Sequence, residues 1–113
     1  MSEQIFFEDF IKIDMRIGKI LSADDFPKAK KPAYKLTIDF GDEIGVKHSS
    51  AQITKMYSKE ELVGSLIVAI VNFPPRQIAD FLSEVLVLGI DDGNDEVLLL
   101  KPDGEAKPGA RIS

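Results

Sequence analysis

Cysteine and tryptophan are absent from this sequence of 113 residues, and histidine occurs once. Without cysteine the chain has no disulfide framework, no thiolate metal cluster and no cysteine nucleophile, so its stability must come from packing. The sequence also lacks a glycine-rich phosphate loop before a helix and any zinc-ligand spacing. These absences predict a protein that is not an enzyme and that uses no cofactor and no metal.

Long apolar runs are missing as well, because no stretch approaches the ~20 apolar residues that a membrane span requires. The first ten residues, MSEQIFFEDF, contain no charged leader followed by a long apolar run. We therefore expect a soluble, cytoplasmic protein with no membrane insertion. The length suits one hydrophobic core, and we expect residues 1–113 to form a single domain.

The net charge of −5 disfavours a general nucleic-acid coat, since such coats neutralise phosphates with many Lys and Arg side chains. The charges are unevenly distributed, with nine basic and nine acidic residues in 1–57 but five and ten in 58–113. Phe26 to Lys35, FPKAKKPAYK, has four lysines and no acid, and its two prolines keep it extended. This segment is either one wall of a basic face or a solvated loop.

Apolar residues recur mostly with a period of two, which predicts β-strands. The first predicted strand runs from Ile11 to Ile17. Its alternation changes phase at Gly18, which indicates a bulge or a bend. A long, bent first strand of this kind can serve two sheets.

Tyr34 to Phe40 predicts a second strand, followed by a turn at Gly41 to Glu43 and a third strand from about Val46. One helix is predicted, from Ser58 to Val63, because Ser58 and Glu61 have the spacing of a capping box. Five or six strands around one short helix predict an all-β fold. We expect a five-stranded Greek-key barrel of the OB-fold type, with terminal extensions.

Three later segments are nearly continuous apolar runs, namely Leu66 to Phe73, Val85 to Ile90 and Val97 to Leu100. A sheet with one wet face would alternate, so we expect both faces of these strands to be covered. In so small a domain the second cover is expected to be another copy of the chain, in a homodimer whose interface includes Ala106 to Ser113. The run Asp91 to Asp95 lacks the ligand pattern of a calcium loop and predicts a hairpin turn.

Asn72 to Gly89, NFPPRQIADFLSEVLVLG, links two buried strands through a stiff and basic loop. The pair Pro74-Pro75 fixes two φ angles, and Phe73 is expected in the core. An amide, a guanidinium, a hydroxyl and a carboxylate are expected to approach one another here, from Asn72, Arg76, Ser83 and Glu84. We expect an ion pair of Glu84 with Arg76 that orients the arginine. The segment is either a preorganised binding site or a surface hairpin.

Val46 to Thr54, VKHSSAQIT, is unusually polar for a strand. Since alternate residues face one side, either positions 47, 49 and 51 or positions 48, 50 and 52 point into a groove. Ser50 and Gln52 are the better hydrogen-bonding pair, with His48 on the same face. Alternatively, the polar side chains protect an edge strand from aggregation.

Five motifs follow one another in the order of a known family, namely IDMRIGKIL, DFPKAKKPAYKLTIDFG, VKHSSAQIT, YSKEELVG and NFPPRQIADFLSEVLVLG. Over nearly its whole length the chain resembles the CsaA family. This family belongs to a wider group of tRNA-binding barrel domains, which also includes the C-terminal domain of bacterial methionyl-tRNA synthetases. The resemblance implies a homodimeric OB-fold that binds tRNA by shape, and a further role as an export-related chaperone of unfolded or precursor proteins.

The resemblance also implies an RNA-contacting patch at Asn72, Arg76, Ser83, Glu84 and Leu86. The chemistry of RNA binding adds cations for the phosphate backbone and hydrogen-bonding groups, for which the candidates are Lys12, Arg16, Lys30, Lys31, Lys47, Ser50 and Gln52. Many relatives read Ser-Glu-Gly-Met where this chain reads Ser83-Glu84-Val85-Leu86, so their affinity does not carry over.

Three functions stay open at the level of the sequence: an RNA-binding module, a chaperone that holds extended peptides in the same groove, and a structural dimer. They predict different responses to salt. RNA binding weakens steeply as salt rises, because it depends on phosphate contacts, whereas binding through apolar contact is nearly indifferent to salt.

Overall fold

A five-stranded antiparallel sheet, curled into a nearly closed barrel, forms the body of the computed structural model, which describes residues 3–91, 93–94 and 96–113. The helices are α1 (Phe7–Ile11), α2 (Gly41–Ile44) and α3 (Lys59–Leu62). The strands are β1 (Met15–Asp25), β2 (Tyr34–Asp39), β3 (Val46–Ala51), β4 (Leu66–Ile70), β5 (Arg76–Ile78), β6 (Phe81–Ser83), β7 (Leu86–Val87), β8 (Gly89–Asp91) and β9 (Val97–Leu99). The order in the main sheet is β3-β2-β1-β4-β7, and β5-β6 and β8-β9 are separate pairs. The predicted all-β OB-fold class is confirmed.

The sequence predicts a first strand that serves two sheets, whereas β1 pairs with both of its neighbours within the one five-stranded sheet. Residues 15–19 pair with β4 and residues 19–25 pair with β2, with a shift of register between Ile20 and Ser22. The irregularity therefore lies at Leu21 and not at Gly18. Gly18 has a packing role instead, because a Cβ atom there would lie 2.6 Å from side-chain atoms of both Ile38 and Phe40.

The predicted start of the first strand at Ile11 is wrong, because residues 7–11 form α1. The carboxylate of Asp9 accepts a hydrogen bond from the Phe6 N–H at 3.1 Å, and the rings of Phe7 and Phe10 lie 6.0 Å apart. These contacts between residues three positions apart stabilise a short helix, and Ile11 at its end is 48% exposed.

The second strand and the helix at Ser58 are confirmed. Tyr34, Leu36, Ile38 and Phe40 are all buried and lie in the main core cluster. The predicted turn at Gly41 is the four-residue α2, and β3 begins at Val46 as expected. The hydroxyl of Ser58 caps α3 by accepting from the Glu61 N–H at 3.2 Å, and the carboxylate of Glu61 accepts from the Ser58 N–H at 2.6 Å. The described residues contain three short helices where the sequence predicts one.

The apolar runs of the second half leave some side chains at the surface. Ile90 of β8 and Leu98 of β9 are direct cross-strand partners and are 53% and 45% exposed. The turn predicted between them includes Asp92 and Asp95, which lie outside the described residues. The three helices of the described residues have four or five residues each, which is too short for a membrane-spanning helix.

The C-terminal segment is bound along the first half of β1. The N–H of Ile17 donates to the carbonyl of Ala110 at 2.9 Å, and the N–H of Gly109 donates to the carbonyl of Ile17 at 2.7 Å. The N–H of Ile112 continues this pattern with the carbonyl of Met15 at 2.9 Å. The segment therefore covers the side of β1 that β2 leaves open in residues 15–18.

We predict that Gly18→Ala lowers the free energy of unfolding by about 1–3 kcal/mol, because the added methyl group would overpack the contact with Ile38 and Phe40. Urea unfolding followed by circular dichroism measures the change. Gly104→Ala is the matched control, since a Cβ atom at Gly104 would meet nothing within 4 Å. Equal stability of the two variants would contradict the proposed role of Gly18.

Candidate functional site

Residues 83–85 close the barrel along the outer edge of β3, and they do so partly with side chains. The N–H of Glu84 donates to the carbonyl of His48 at 2.7 Å, and a carboxylate oxygen of Glu84 accepts from the N–H of His48 at 2.9 Å. The hydroxyl of Ser83 accepts from the N–H of Ser50 at 3.1 Å. The free backbone groups of an edge strand are thereby satisfied without a full neighbouring strand.

The same Glu84 carboxylate lies 3.1 Å from Nδ1 of His48. Burial raises the pKa of Glu84, but the hydrogen bonds from His48 and the nearby charge of Lys47 outweigh it, so the pKa lies below its ordinary value. The expected ion pair of Glu84 with Arg76 is wrong, because His48 takes the carboxylate. Arg76 has no ion-pair or hydrogen-bond partner for its guanidinium among the residues that the structure describes.

An apolar cavity of about 450 Å³ opens beside this junction. Its apolar lining comes from Phe73, Pro74, Ile78 and Leu86, and its polar lining from Ser50, Arg76, Ser83 and Glu84. Phe73 was expected in the core, but half of it is exposed, because it lies beyond the end of β4 and lines the open cavity. A half-exposed ring beside a cationic side chain is a surface on which a flat ligand group can stack.

A basic cavity of about 650 Å³ adjoins the apolar cavity, since Ser50, Arg76 and Ile78 line both. Its lining includes four cations, Lys28, Lys30, Lys31 and Arg76, together with the polar Gln52 and Gln77. No acidic residue is among the described residues that line it. This absence is unusual for a protein with a net charge of −5.

Two structural walls form the basic cavity. One wall is the lysine-rich segment after β1, and the other is the hairpin of β5 and β6. The walls contact each other through the rings of Phe26 and Phe81, whose centroids lie 5.3 Å apart, and Nζ of Lys35 lies 5.6 Å from the Phe26 ring. The hairpin turn holds Ala79 at a φ of 53°, a left-handed conformation that costs about 1–2 kcal/mol for a residue with a Cβ atom.

Eight of the twelve predicted site residues line the two cavities: Lys30, Lys31, Ser50, Gln52, Arg76, Ser83, Glu84 and Leu86. Of the predicted set at positions 48, 50 and 52, Ser50 and Gln52 line the cavities and His48 contacts Glu84 instead, while Ser49 of the other set is buried with 1% exposure. Lys28 and Gln77 were not predicted. Lys28 belongs to the same lysine-rich segment as Lys30 and Lys31, and its position there could have identified it as a further cation of the site.

The other four predicted residues, Lys12, Arg16, Lys47 and Asn72, do not line either cavity. Arg16 is buried, with its guanidinium 2.6 Å from Asp14 and 3.0 Å from Glu43. The hydrogen bond from Arg16 lowers the pKa of Asp14. This buried guanidinium holds the start of β1 and is not available to a ligand.

Asn72 has a similar structural part. Its side-chain oxygen accepts from the N–H of Asp14 at 3.0 Å, and its amide nitrogen donates to the carbonyl of Lys12 at 2.8 Å. The amide therefore ties the end of the β4 segment to the entry of β1. The ammonium group of Lys12 is 3.6 Å from Asp9 and largely exposed.

We predict that Glu84→Ala lowers the free energy of unfolding by about 0.5–1.5 kcal/mol, since it removes the acceptor of the exposed His48 N–H and water replaces that acceptor only in part. Glu84→Gln keeps an oxygen there and is expected to cost less. The pKa of Glu84 is lower in the folded state than its ordinary value of 4.5. The charge of Glu84 therefore stabilises the fold at pH values above 4.5, and this stabilisation is lost as the pH falls through the folded-state pKa.

Urea unfolding at neutral and acidic pH measures both effects. Wild type is expected to lose more stability on acidification than Glu84→Gln does. Glu105→Gln, a change at an exposed carboxylate, is the control and is expected to follow wild type. A wild-type pH profile that Glu84→Gln reproduces would contradict the stabilising role of the charge.

Comparison with known proteins identifies the same architecture. A family model described as "Putative tRNA binding domain" matches residues 15–111. The chaperone CsaA from Bacillus anthracis str. Ames has a TM-score of 0.93 and 51% identity, covering 98% of this chain and 100% of that chain. The CsaA chaperone protein from Picrophilus torridus has a TM-score of 0.91 and 58% identity, covering 97% of this chain and 100% of that chain.

A longer relative contains a matching segment. The methionine–tRNA ligase of Thermococcus onnurineus (strain NA1) is 42% identical over 110 residues, which is 97% of this chain and 14% of that ligase. The chain thus spans only a small part of the ligase that it matches. Given the family model over residues 15–111 and the two CsaA structures matched over their full length, the chain belongs to the tRNA-binding domain family and to its CsaA branch.

Proposed function

We propose that this chain binds tRNA through the basic cavity and the apolar cavity together. The observation that carries the proposal is the convergence of Lys30, Lys31 and Arg76, which have no ion-pair partner among the described residues, on one cavity without an acidic lining residue. Cations held in this way exchange their counterions for phosphates, which is the main source of affinity for nucleic acids. The proposal agrees with membership of a tRNA-binding domain family.

The arrangement of the two cavities assigns different parts of the RNA to each. The sugar-phosphate backbone would follow the basic cavity, and an unstacked base would enter the apolar cavity against Phe73 and Leu86. Arg76 lines both cavities and can reach either a phosphate or a base with its planar group. Such contacts read the folded shape of an RNA more than a base sequence.

We also propose that residues 1–113 act as one domain, without catalysis, in the cytoplasm. The described site consists of binding groups: cations, amides and hydroxyls around an apolar surface. The only histidine has a carboxylate partner at the barrel junction, where that carboxylate also accepts a backbone N–H. The activity of the longer ligase relatives belongs to those proteins, since this chain matches 14% of one of them.

We predict that Arg76→Ala weakens binding of bulk tRNA about tenfold and lowers the slope of log K against log salt by about 0.7–0.9, the contribution of one phosphate contact. Fluorescence anisotropy with labelled tRNA over a salt series measures both quantities. Lys19→Ala removes one charge from an exposed lysine that lines neither cavity, and it is expected to change little. Equal losses in the two variants would contradict a specific role for Arg76.

A second candidate function is the binding of unfolded or precursor polypeptides. The apolar lining of the smaller cavity favours it, because Phe73, Ile78 and Leu86 can receive an apolar side chain. The two functions are separated by adding an unfolded polypeptide to the tRNA titration. Peptide capture that is tight, insensitive to salt and unaccompanied by tRNA binding would make the chaperone function primary.

We further propose that the chain forms a homodimer through the exposed apolar face of β8 and β9. Ile90 and Leu98 are adjacent on this face and about half exposed. Apolar side chains paired across two strands at a surface are what a second copy of the chain would cover. The segment Ala106 to Ser113, also expected in the interface, is bound along β1 of its own chain for part of its length.

We predict that wild type sediments as a dimer at micromolar concentration and that Leu98→Glu sediments as a monomer, since a charge in an apolar interface opposes association. Val63→Glu, at a similarly exposed apolar residue after α3, is the control and is expected to stay dimeric. A monomeric wild type in equilibrium sedimentation would overturn the proposal.

A further inference from the structure

One of the four cations of the basic cavity differs from the others. Nζ of Lys28 lies 2.6 Å from a carboxylate oxygen of Asp80, whereas Lys30, Lys31 and Arg76 have no ion-pair partner among the described residues. Asp80 stands in the turn of the β5-β6 hairpin, and Lys28 stands in the lysine-rich segment. The ion pair therefore joins the two walls of the cavity.

The hairpin turn presents Asp80 to Lys28 by a strained backbone. Ala79, the residue before Asp80, has a φ of 53°, and its carbonyl accepts a hydrogen bond of 2.8 Å from the side chain of Gln77. On the other side, Phe81 packs against Phe26 next to the lysine-rich segment. The carboxylate of Asp80 is thus held next to Lys28 and Ala79, at the rim of a cavity whose described lining residues include no acid.

The charges around Asp80 favour its ionised form. The hydrogen bond from Lys28 is the largest cause of the lowered pKa of Asp80, and the charge of Lys35 adds to it. Both partners of the pair are about two-thirds exposed, so the pair contributes little to the stability of the fold. The ion pair has a larger effect on the affinity for a polyanionic ligand. While the ammonium group of Lys28 points at Asp80, it is not directed at a phosphate in the cavity.

We propose that Asp80 is a specificity-determining residue that withholds Lys28 from the phosphates of a bound RNA and so limits the affinity of the basic cavity for polyanions. The inference rests on the proposed function of the cavity and adds to it a residue that opposes the binding of polyanions. An acidic group at the rim penalises any ligand that offers only phosphate charge. Ligands that also fill the apolar cavity keep that part of their binding energy.

The test compares Asp80→Asn with Asp25→Asn in tRNA binding over a salt series. Asp25 forms an ion pair of 2.9 Å with Lys59, and neither residue lines either cavity, so the control also removes one acid and frees one lysine. Asp80→Asn is expected to bind tRNA about threefold more tightly and to steepen the slope of log K against log salt by about 0.7–0.9. Asp25→Asn is expected to match wild type in both quantities.

The double variant Lys28→Gln with Asp80→Asn identifies the source of the gain. If the freed lysine makes the new contact, the steeper slope disappears in the double variant. If the steeper slope persists in the double variant, the inference is wrong. The inference is also wrong if Asp80→Asn binds tRNA with the affinity and the slope of wild type, and in both cases the proposed function stands.

Inorganic pyrophosphate is the second probe, followed by NMR shifts of the lysine-rich segment. It separates failure of the inference from failure of the proposed function. If no variant binds tRNA, the proposed function fails. Tighter pyrophosphate binding by Asp80→Asn, and not by Asp25→Asn, would still support the withheld lysine, and equal binding by both variants would overturn it.

Discussion

The outer edge of β3 is the constraint on which the rest of this structure depends. An edge strand exposes backbone groups that must find partners, and here residues 83–85 supply them through one backbone bond and two side-chain acceptors. The buried hydroxyl of Ser49 adds a bond of 3.0 Å to the carbonyl of Val85. Because this junction closes the barrel, it also fixes the loop that carries Arg76 and thereby the position of both cavities.

The charge distribution gives the site its character. The protein is acidic as a whole, yet the described lining of the basic cavity contains no acid. Arg16, outside the cavities, is used for structure beside Asp14 and Glu43. Arg16 is a buried cation that would lose its carboxylate partners on binding a phosphate. Pairing therefore distinguishes Arg16, which is structural, from the unpaired cations of the basic cavity, although Lys28 is paired with Asp80 and still lines that cavity.

Much of the site was predictable from local patterns. Local patterns identified three parts of the site: the lysine-rich segment, the proline-stiffened loop and the polar strand. Eight of the twelve predicted residues line the cavities. Arg16 and Asn72 were not separable from the others by residue type. Asp14, two residues from Arg16, was a local sign of its ion pair, but Glu43 is distant in sequence and the partners of Asn72 belong to the main chain of residues 12 and 14. The roles of Ser83 and Glu84 at the junction were hidden for the same reason.

The sequence by itself determined the all-β class, the second strand with its buried alternate residues, the capped helix at Ser58 and the family. These depend on periodicity, on capping and on long motifs, which are local properties of the chain. Only the tertiary structure decided that Glu84 contacts His48 and not Arg76, and that Lys28 faces Asp80. Such pairings depend on which edges meet when the barrel closes, and their partners lie 36 and 52 positions apart.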